Sequence, residues 1–318
     1  MTGLRLAALA AATTLGALSA ASAGPHLRTV ATIFPLADWA RTVGGDRVEV
    51  VQLLPPGVEA HAFSPTPRDA ARLRAADLFL YCGPAMEPWA ADLAAGAGLA
   101  GARLFQADRH VSPLAGPGAP PAPAHEHGPD CDHGHARAGG AGVDPHFWLD
   151  PLAAIEVVRA LAAAFSTADP EGAAGYRDRA ERYAGDLRAL HADLEAMVRG
   201  AATRTVVYGG HPAFGRFATR YGLEFASPYE GFSPDARPGP RAIATLVRRM
   251  RELGTRIVFH EELIEPRVAR VLAEEAGARL ELLHGAHNLT ADERKAGETY
   301  LSIQRANLAK LREGLGTK

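Results

Sequence analysis

Apolar and polar positions along this chain alternate between short β-branched runs and longer stretches of helical period, and they do so in two successive halves. Residues 29–33 read as a strand, followed by a helix over 36–43 that stops at Gly44-Gly45. Residues 48–54 read as a second strand, closed by Pro55-Pro56-Gly57, and 78–81 as a third, stopped by Gly83-Pro84. Between these strands Thr66 is placed to cap a helix with Pro67 at its first position. In the second half, 205–208, 223–226, 257–259 and 280–283 read as strands, separated by helices over 213–221, 241–253 and one running through Glu275. Thr290 and Glu293 form a capping-box pattern before a terminal helix. Strand alternating with helix predicts an α/β fold whose small sheets are mainly parallel.

Between the halves lie a helix over 151–167 and then a longer one over 171–199. The second carries Tyr176, Ala180, Tyr183, Leu187, Leu190, Leu194 and Met197, spaced alternately by four and three, which makes one continuous apolar stripe. At 1.5 Å per residue such a helix spans about 40 Å, more than either half is wide. It therefore predicts a spine between two lobes: 24–170, the connecting helix 171–200, and 201–318. Its short heptad-like pattern also fits a coiled-coil dimer, although a monomer is the expectation. His191 falls off the stripe and is expected in solvent.

The N-terminus changes the picture of location. Arg5, an apolar run over 6–18 and Ala21-Ser22-Ala23 predict a secretory signal peptide over 1–23, and no later run approaches about twenty consecutive apolar residues. The formal net charge of −2 argues against nucleic acid or an acidic membrane surface as the partner. The two cysteines, Cys82 and Cys131, can pair in an oxidising compartment, or Cys131 can act as a weak metal ligand.

Histidine is the compositional excess, thirteen in all, and it clusters. A Pro/Gly/His-rich segment over 112–142 is expected to be a flexible loop. Its His125, His127, His133 and His135, with Glu126, Asp130, Cys131 and Asp132, read as a metal-collecting cluster. It ends at Asp144-Pro145-His146-Phe147-Trp148, where a histidine held between a proline and two aromatic residues reads as the ligand of a buried metal. His61, His211 and His284 each follow a predicted strand in a turn marked by Gly or Pro, where parallel sheets present their binding residues. Neutral imidazole is a common metal ligand, and zinc takes four such ligands. Asp77, Glu59, Asp144 and Asp150 are candidates to orient the imidazoles. A zinc hydrolase finds little support, since His260-Glu261-Glu262-Leu263-Ile264 lacks the second histidine of a His-Glu-x-x-His motif. Asn288-Leu289-Thr290 matches a glycosylation triplet and is discounted.

Several stretches together resemble the cluster A-I metal-binding solute receptors of zinc and manganese ABC transporters. They are Gly57-Val58-Glu59-Ala60-His61 with Pro65-Thr66-Pro67, Ala76-Asp77-Leu78 through Met86-Glu87-Pro88-Trp89, residues 144–151, Gly210-His211-Pro212-Ala213-Phe214, and Thr299-Tyr300-Leu301. The resemblance implies two α/β lobes joined by one long helix, with the metal between them and His61, His146 and His211 as ligands. The family's fourth ligand is usually an Asp or Glu after the last strand. Here no carboxylate stands there, so His284 is the expected fourth ligand and His287 the alternative. An all-imidazole set points to Zn2+ over manganese, which favours oxygen. The implied role is a non-enzymatic periplasmic receptor that delivers zinc to a membrane permease in transient contact, with a periplasmic metallochaperone as a further partner. A zinc buffer or chaperone with no permease of its own is the alternative.

Overall fold

The computed structural model describes residues 26–114, 144–229 and 238–317. The expected leader over 1–23, most of the 112–142 segment with its four histidines, and Cys131 lie outside them. The first lobe opens with strand β1 (Leu27–Ala31), helix α1 (Phe34–Gly44), strand β2 (Val48–Gln52), helix α2 (Pro67–Arg74) and strand β3 (Leu78–Tyr81). Helix α3 (Ala90–Gly96) and strand β4 (Leu104–Gln106) follow. The strands form one parallel sheet in the order β2-β1-β3-β4. Alternation along each strand sets the two faces. Leu27 and Ala31 of β1 and Leu78 and Leu80 of β3 pack with α1, while Val30, Phe79 and Tyr81 pack with Leu73, Ala90 and Ala94 of α2 and α3. Sequence reading omits α3 and β4. The first is an alanine-rich run with little periodicity, and the second is only three residues long. Asp69 joins Thr66 in capping α2.

Helix α4 (Pro151–Ala168) and helix α5 (Ala173–Arg199) lie along one another and against α1. All seven residues of the predicted α5 stripe are buried. With 27 residues the helix is about 40 Å long, as the spacing predicts. By length and composition α4 is apolar enough to cross a membrane, which the sequence reading did not expect. Half of it is buried inside the protein, as befits a core helix.

The second lobe runs through strand β5 (Thr205–Val207), helix α6 (Gly215–Tyr221), strand β6 (Glu224–Ala226), helix α7 (Pro240–Leu253) and strand β7 (Ile257–His260). Helix α8 (Arg267–Ala276), strand β8 (Arg279–Leu282), helix α9 (Ala291–Ala296) and helix α10 (Tyr300–Gly314) complete it. Its sheet is split into the parallel pairs β5-β6 and β7-β8. The pairs meet at a single bridge, Tyr208 to Phe259, beside a 2.8 Å bond from the Gly209 N–H to the Phe259 carbonyl. That junction lies at the carboxyl ends of β5 and β7, where the chain enters the turns that carry the polar cluster described next.

Candidate metal centre

Four turns bring four imidazoles to one point. His61 follows β2 through a loop in which Gly57 adopts φ 79°, a left-handed conformation suited to glycine. His146 leads into a short turn, Phe147–Leu149, and is fully buried with Phe147 and Trp148. His211 follows β5 through Gly209-Gly210, and His287 lies five residues beyond the end of β8. One donor atom from each of His61, His146, His211 and His287 lies within 4.8 Å of all the others. His146 Nε2 stands 3.2 Å from His61 Nε2 and 3.4 Å from His211 Nε2. Zinc–nitrogen bonds of about 2.0–2.1 Å in a tetrahedron place neighbouring nitrogens roughly 3.3–3.4 Å apart, so these separations fit the edges of a four-nitrogen zinc shell.

Carboxylates stand behind the rings. Glu261 contacts His211 Nδ1 and accepts the His211 backbone N–H at 3.1 Å. Glu262 lies 3.0 Å from His287 Nδ1 and accepts the backbone N–H groups of Gly285 at 2.6 Å and His287 at 3.1 Å. Asp144 accepts the His146 backbone N–H at 2.9 Å and lies 3.4 Å from its Nδ1. Carboxylates on Nδ1 leave Nε2 as the lone-pair nitrogen that faces the centre. Two glycines make room for this arrangement. A Cβ on Gly210 would sit 2.9 Å from a Glu261 oxygen, and one on Gly285 would sit 2.7 Å from the His287 ring. Among the described residues, the non-glycine positions with positive φ are Leu263 (62°) and Ala286 (57°), which adjoin Glu262 and His287.

The electrostatics divide the set. Burial, with the nearby His287 second, pushes His61 down to about 4. Burial likewise pushes His146 down to about 3, against the opposing pull of Asp144. Both rings are thus neutral and ready to bind metal at ordinary pH. Burial also acts to lower His211, but the bond to Glu261 and the surrounding carboxylates outweigh it, and its value is raised. Glu262 is fully buried yet held below the usual carboxylate range, because His284, His287 and the Gly285 N–H outweigh the burial penalty.

The expected fourth member requires correction. Of the two candidates on the last loop the structure places His287, not His284, in the group. His284 turns its Nε2 to within 3.4 Å of Glu293, while its Nδ1 accepts the Ala286 N–H at 2.9 Å. Asn307 holds its backbone from both sides, accepting its N–H at 2.9 Å and donating to its carbonyl at 2.8 Å. Of the carboxylates expected to orient imidazoles, only Asp144 touches one of the four. Asp77 accepts the Arg28 N–H, Glu59 the Ala62 N–H, and Asp150 caps α4 and binds Arg216 and Arg220. Glu261 and Glu262 were missed as orienting groups. The available signal was their place immediately after β7, the same strand-end position that marks His211.

Loop-to-loop bonds fix three of the four turns relative to one another. Trp148 Nε1 donates to the Gly285 carbonyl at 2.8 Å, and the Tyr300 hydroxyl donates to the Trp148 carbonyl. Asn288 donates to the carbonyls of Pro55 at 2.6 Å and Val58 at 2.9 Å, tying the last loop to the one that carries His61. Among the described residues Cys82 is a buried free thiol.

The family described as "ZnuA: Zinc-uptake complex component A periplasmic" matches residues 29–314. The chain belongs to this family. The zinc-binding protein AdcA of Streptococcus pyogenes serotype M1 is 32% identical over 291 residues, which are 90% of this chain and 55% of that protein. The chain thus spans about half the length of the AdcA relatives. The high-affinity zinc uptake system protein ZnuA of Bacillus subtilis is 31% identical over 303 residues, 94% of this chain and 91% of that one. Among solved structures, the Zn(II)-bound ZnuA-like domain of Streptococcus pneumoniae AdcA superposes with a TM-score of 0.71 at 26% identity, covering 91% of this chain and 99% of that one. The two-lobed α/β architecture is the one this family shares.

Proposed function

We propose that the protein captures a zinc ion in the cleft between its lobes and hands it to the membrane permease of an ABC transporter. His61, His146, His211 and His287 hold the ion, each through Nε2, and no catalytic step is involved. The observation that carries this reading is the convergence of four imidazoles from both lobes at separations suited to tetrahedral zinc. The family match and the zinc-binding relatives support the same cargo. Export by the 1–23 leader would place the receptor on the periplasmic side, where the 112–142 histidines serve as a collecting segment.

In this reading the ion arrives partly hydrated and exchanges water for imidazole nitrogen. His146 and His211 lie in the buried wall, while His61 is only partly buried and offers the more accessible nitrogen. The test is zinc titration of the mature protein with a competing chelator, together with a metal-edge anomalous map of crystals grown from it. One tightly held zinc on those four rings, and zinc-dependent growth lost when the gene is deleted, are the expected results. A map that places the tightest zinc elsewhere, or growth that ignores the deletion, defeats the proposal.

A further inference from the structure

We propose that the adjacent residues Glu261 and Glu262 are positioning residues that set both the geometry and the ionic charge the centre accepts, tuning it to a divalent ion. The inference rests on the zinc reading above and deepens it. An all-imidazole shell brings no charge of its own, so a divalent ion would carry its full charge into a buried site, which is costly without nearby anions. The two carboxylates provide that compensation one imidazole ring away from the ion.

Their placement is specific. They leave β7 in succession, and each grips a different ligand loop in the same two ways. Glu261 takes the Nδ1 side and the backbone N–H of His211, and Glu262 takes the Nδ1 side and the backbone N–H of His287. Both are buried. The neighbouring backbone bends to allow it, with left-handed conformations at Leu263 and Ala286. Gly210 and Gly285 leave the space that side chains would otherwise take from the two carboxylates. His284 also lies 3.6 Å from Glu262, so this carboxylate touches both histidines of the last loop.

Charge selectivity distinguishes this role from simple scaffolding. The interaction of a fixed anion with a bound cation scales with the cation's charge. Removing one carboxylate charge should therefore weaken a monovalent ion by roughly the square root of the factor lost for a divalent one. Orienting partners of metal-bound histidines are worth about 10–100-fold in affinity. The experiment compares Zn2+ and Ag+ binding, in chloride-free buffer, to the wild-type protein and to Glu262→Gln, and repeats Glu262→Gln on a His287→Ala background. Expected is a Zn2+ loss of about 10–100-fold, an Ag+ loss of about 3–10-fold, and a smaller Zn2+ loss when His287 is already absent. Unchanged Zn2+ affinity, or equal losses for the two ions and on both backgrounds, overturns the proposal. Should Glu262→Gln not fold, Glu261→Gln on wild-type and His211→Ala backgrounds gives the same comparison. A wild-type protein that binds no zinc refutes the parent reading, whereas a zinc-binding wild type with indifferent variants refutes this inference alone.

Discussion

His284 Nε2 lies 3.4 Å from Glu293 Oε1, outside the group of four imidazoles that His287 joins. Two histidines three residues apart have therefore separate tasks, one facing the metal centre and one joined to the cap of α9. Substituting them should separate affinity from stability. His287→Ala is expected to weaken zinc binding at least about tenfold, and His284→Ala to leave it within roughly threefold. The sign of the stability effect follows from the raised value of His284, where the carboxylates of Glu262 and Glu293 outweigh burial. A group raised on folding stabilises fully below its unfolded value of 6.5, and that contribution fades as pH rises through the folded value. His284→Ala should thus cost more stability at pH 6 than at pH 9. Thermal unfolding at the two values, alongside competition titrations, checks both halves, and a large affinity loss in His284→Ala would contradict the assignment.

Proton competition at the centre should not come from His61 or His146. His61 and His146 are neutral down to about 4 and about 3, because burial opposes their charged forms. His211 is raised by its Glu261 bond and the nearby carboxylates against the effect of burial, so its second proton persists above 6.5. A metal must displace that proton. Zinc affinity is therefore expected to fall as pH drops from 8 to 6, with a dependence of fewer than three protons per zinc. Titrations across this range measure the slope directly. A flat profile, or a slope of three, would be incompatible with these ring environments.

The helical stripe from Tyr176 to Met197 was legible because seven apolar residues keep one period along its whole length. The strands leading to His61 and His211 were legible because β-branched runs end in Gly or Pro, and the turn chemistry then marks the strand end as a place for polar residues. Choosing between His284 and His287 was beyond that signal. Both are buried, and their partners come from elsewhere in the chain: Glu262, beside His287, lies 25 residues earlier, just past β7. For the same reason His191, expected in solvent, is instead half-buried, with its Nδ1 2.9 Å from the Tyr221 hydroxyl of α6. Periodicity assigns a residue to a face of its own helix but carries no information about what another element brings to that face.

Asn288 offers a test of how the loops are held. Its amide nitrogen donates to Pro55 and Val58, and its oxygen accepts Gln52 Nε2 at 2.7 Å, all with the side chain fully buried. Burial also places its glycosylation triplet out of reach in the folded protein. Asn288→Ala leaves these groups without their partner, at a cost of about 1–3 kcal/mol. The melting temperature should drop by several degrees, and zinc affinity should weaken because the loop carrying His61 loses its anchor on the loop carrying His287. Calorimetry with and without zinc measures both. A variant that melts and binds like the wild type shows the link to be dispensable.

Glu87 makes a prediction away from the metal. Its carboxylate is fully buried, accepting the Thr32 hydroxyl and the N–H groups of Cys82 at 2.6 Å and Gly83 at 3.3 Å. Burial pushes it up to about 7 from 4.5, and these hydrogen bonds only partly offset the shift. The fold thus favours the protonated acid. Its contribution to stability is complete below about 4.5 and is lost as pH rises through about 7. Gln mimics the protonated acid at every pH. Between pH 4.5 and 8, the stability of Glu87→Gln relative to wild type should therefore improve by up to about 3 kcal/mol, the equivalent of such a shift. Denaturant unfolding of both proteins across that range supplies the comparison, and a difference that does not change with pH would show that folding does not raise Glu87.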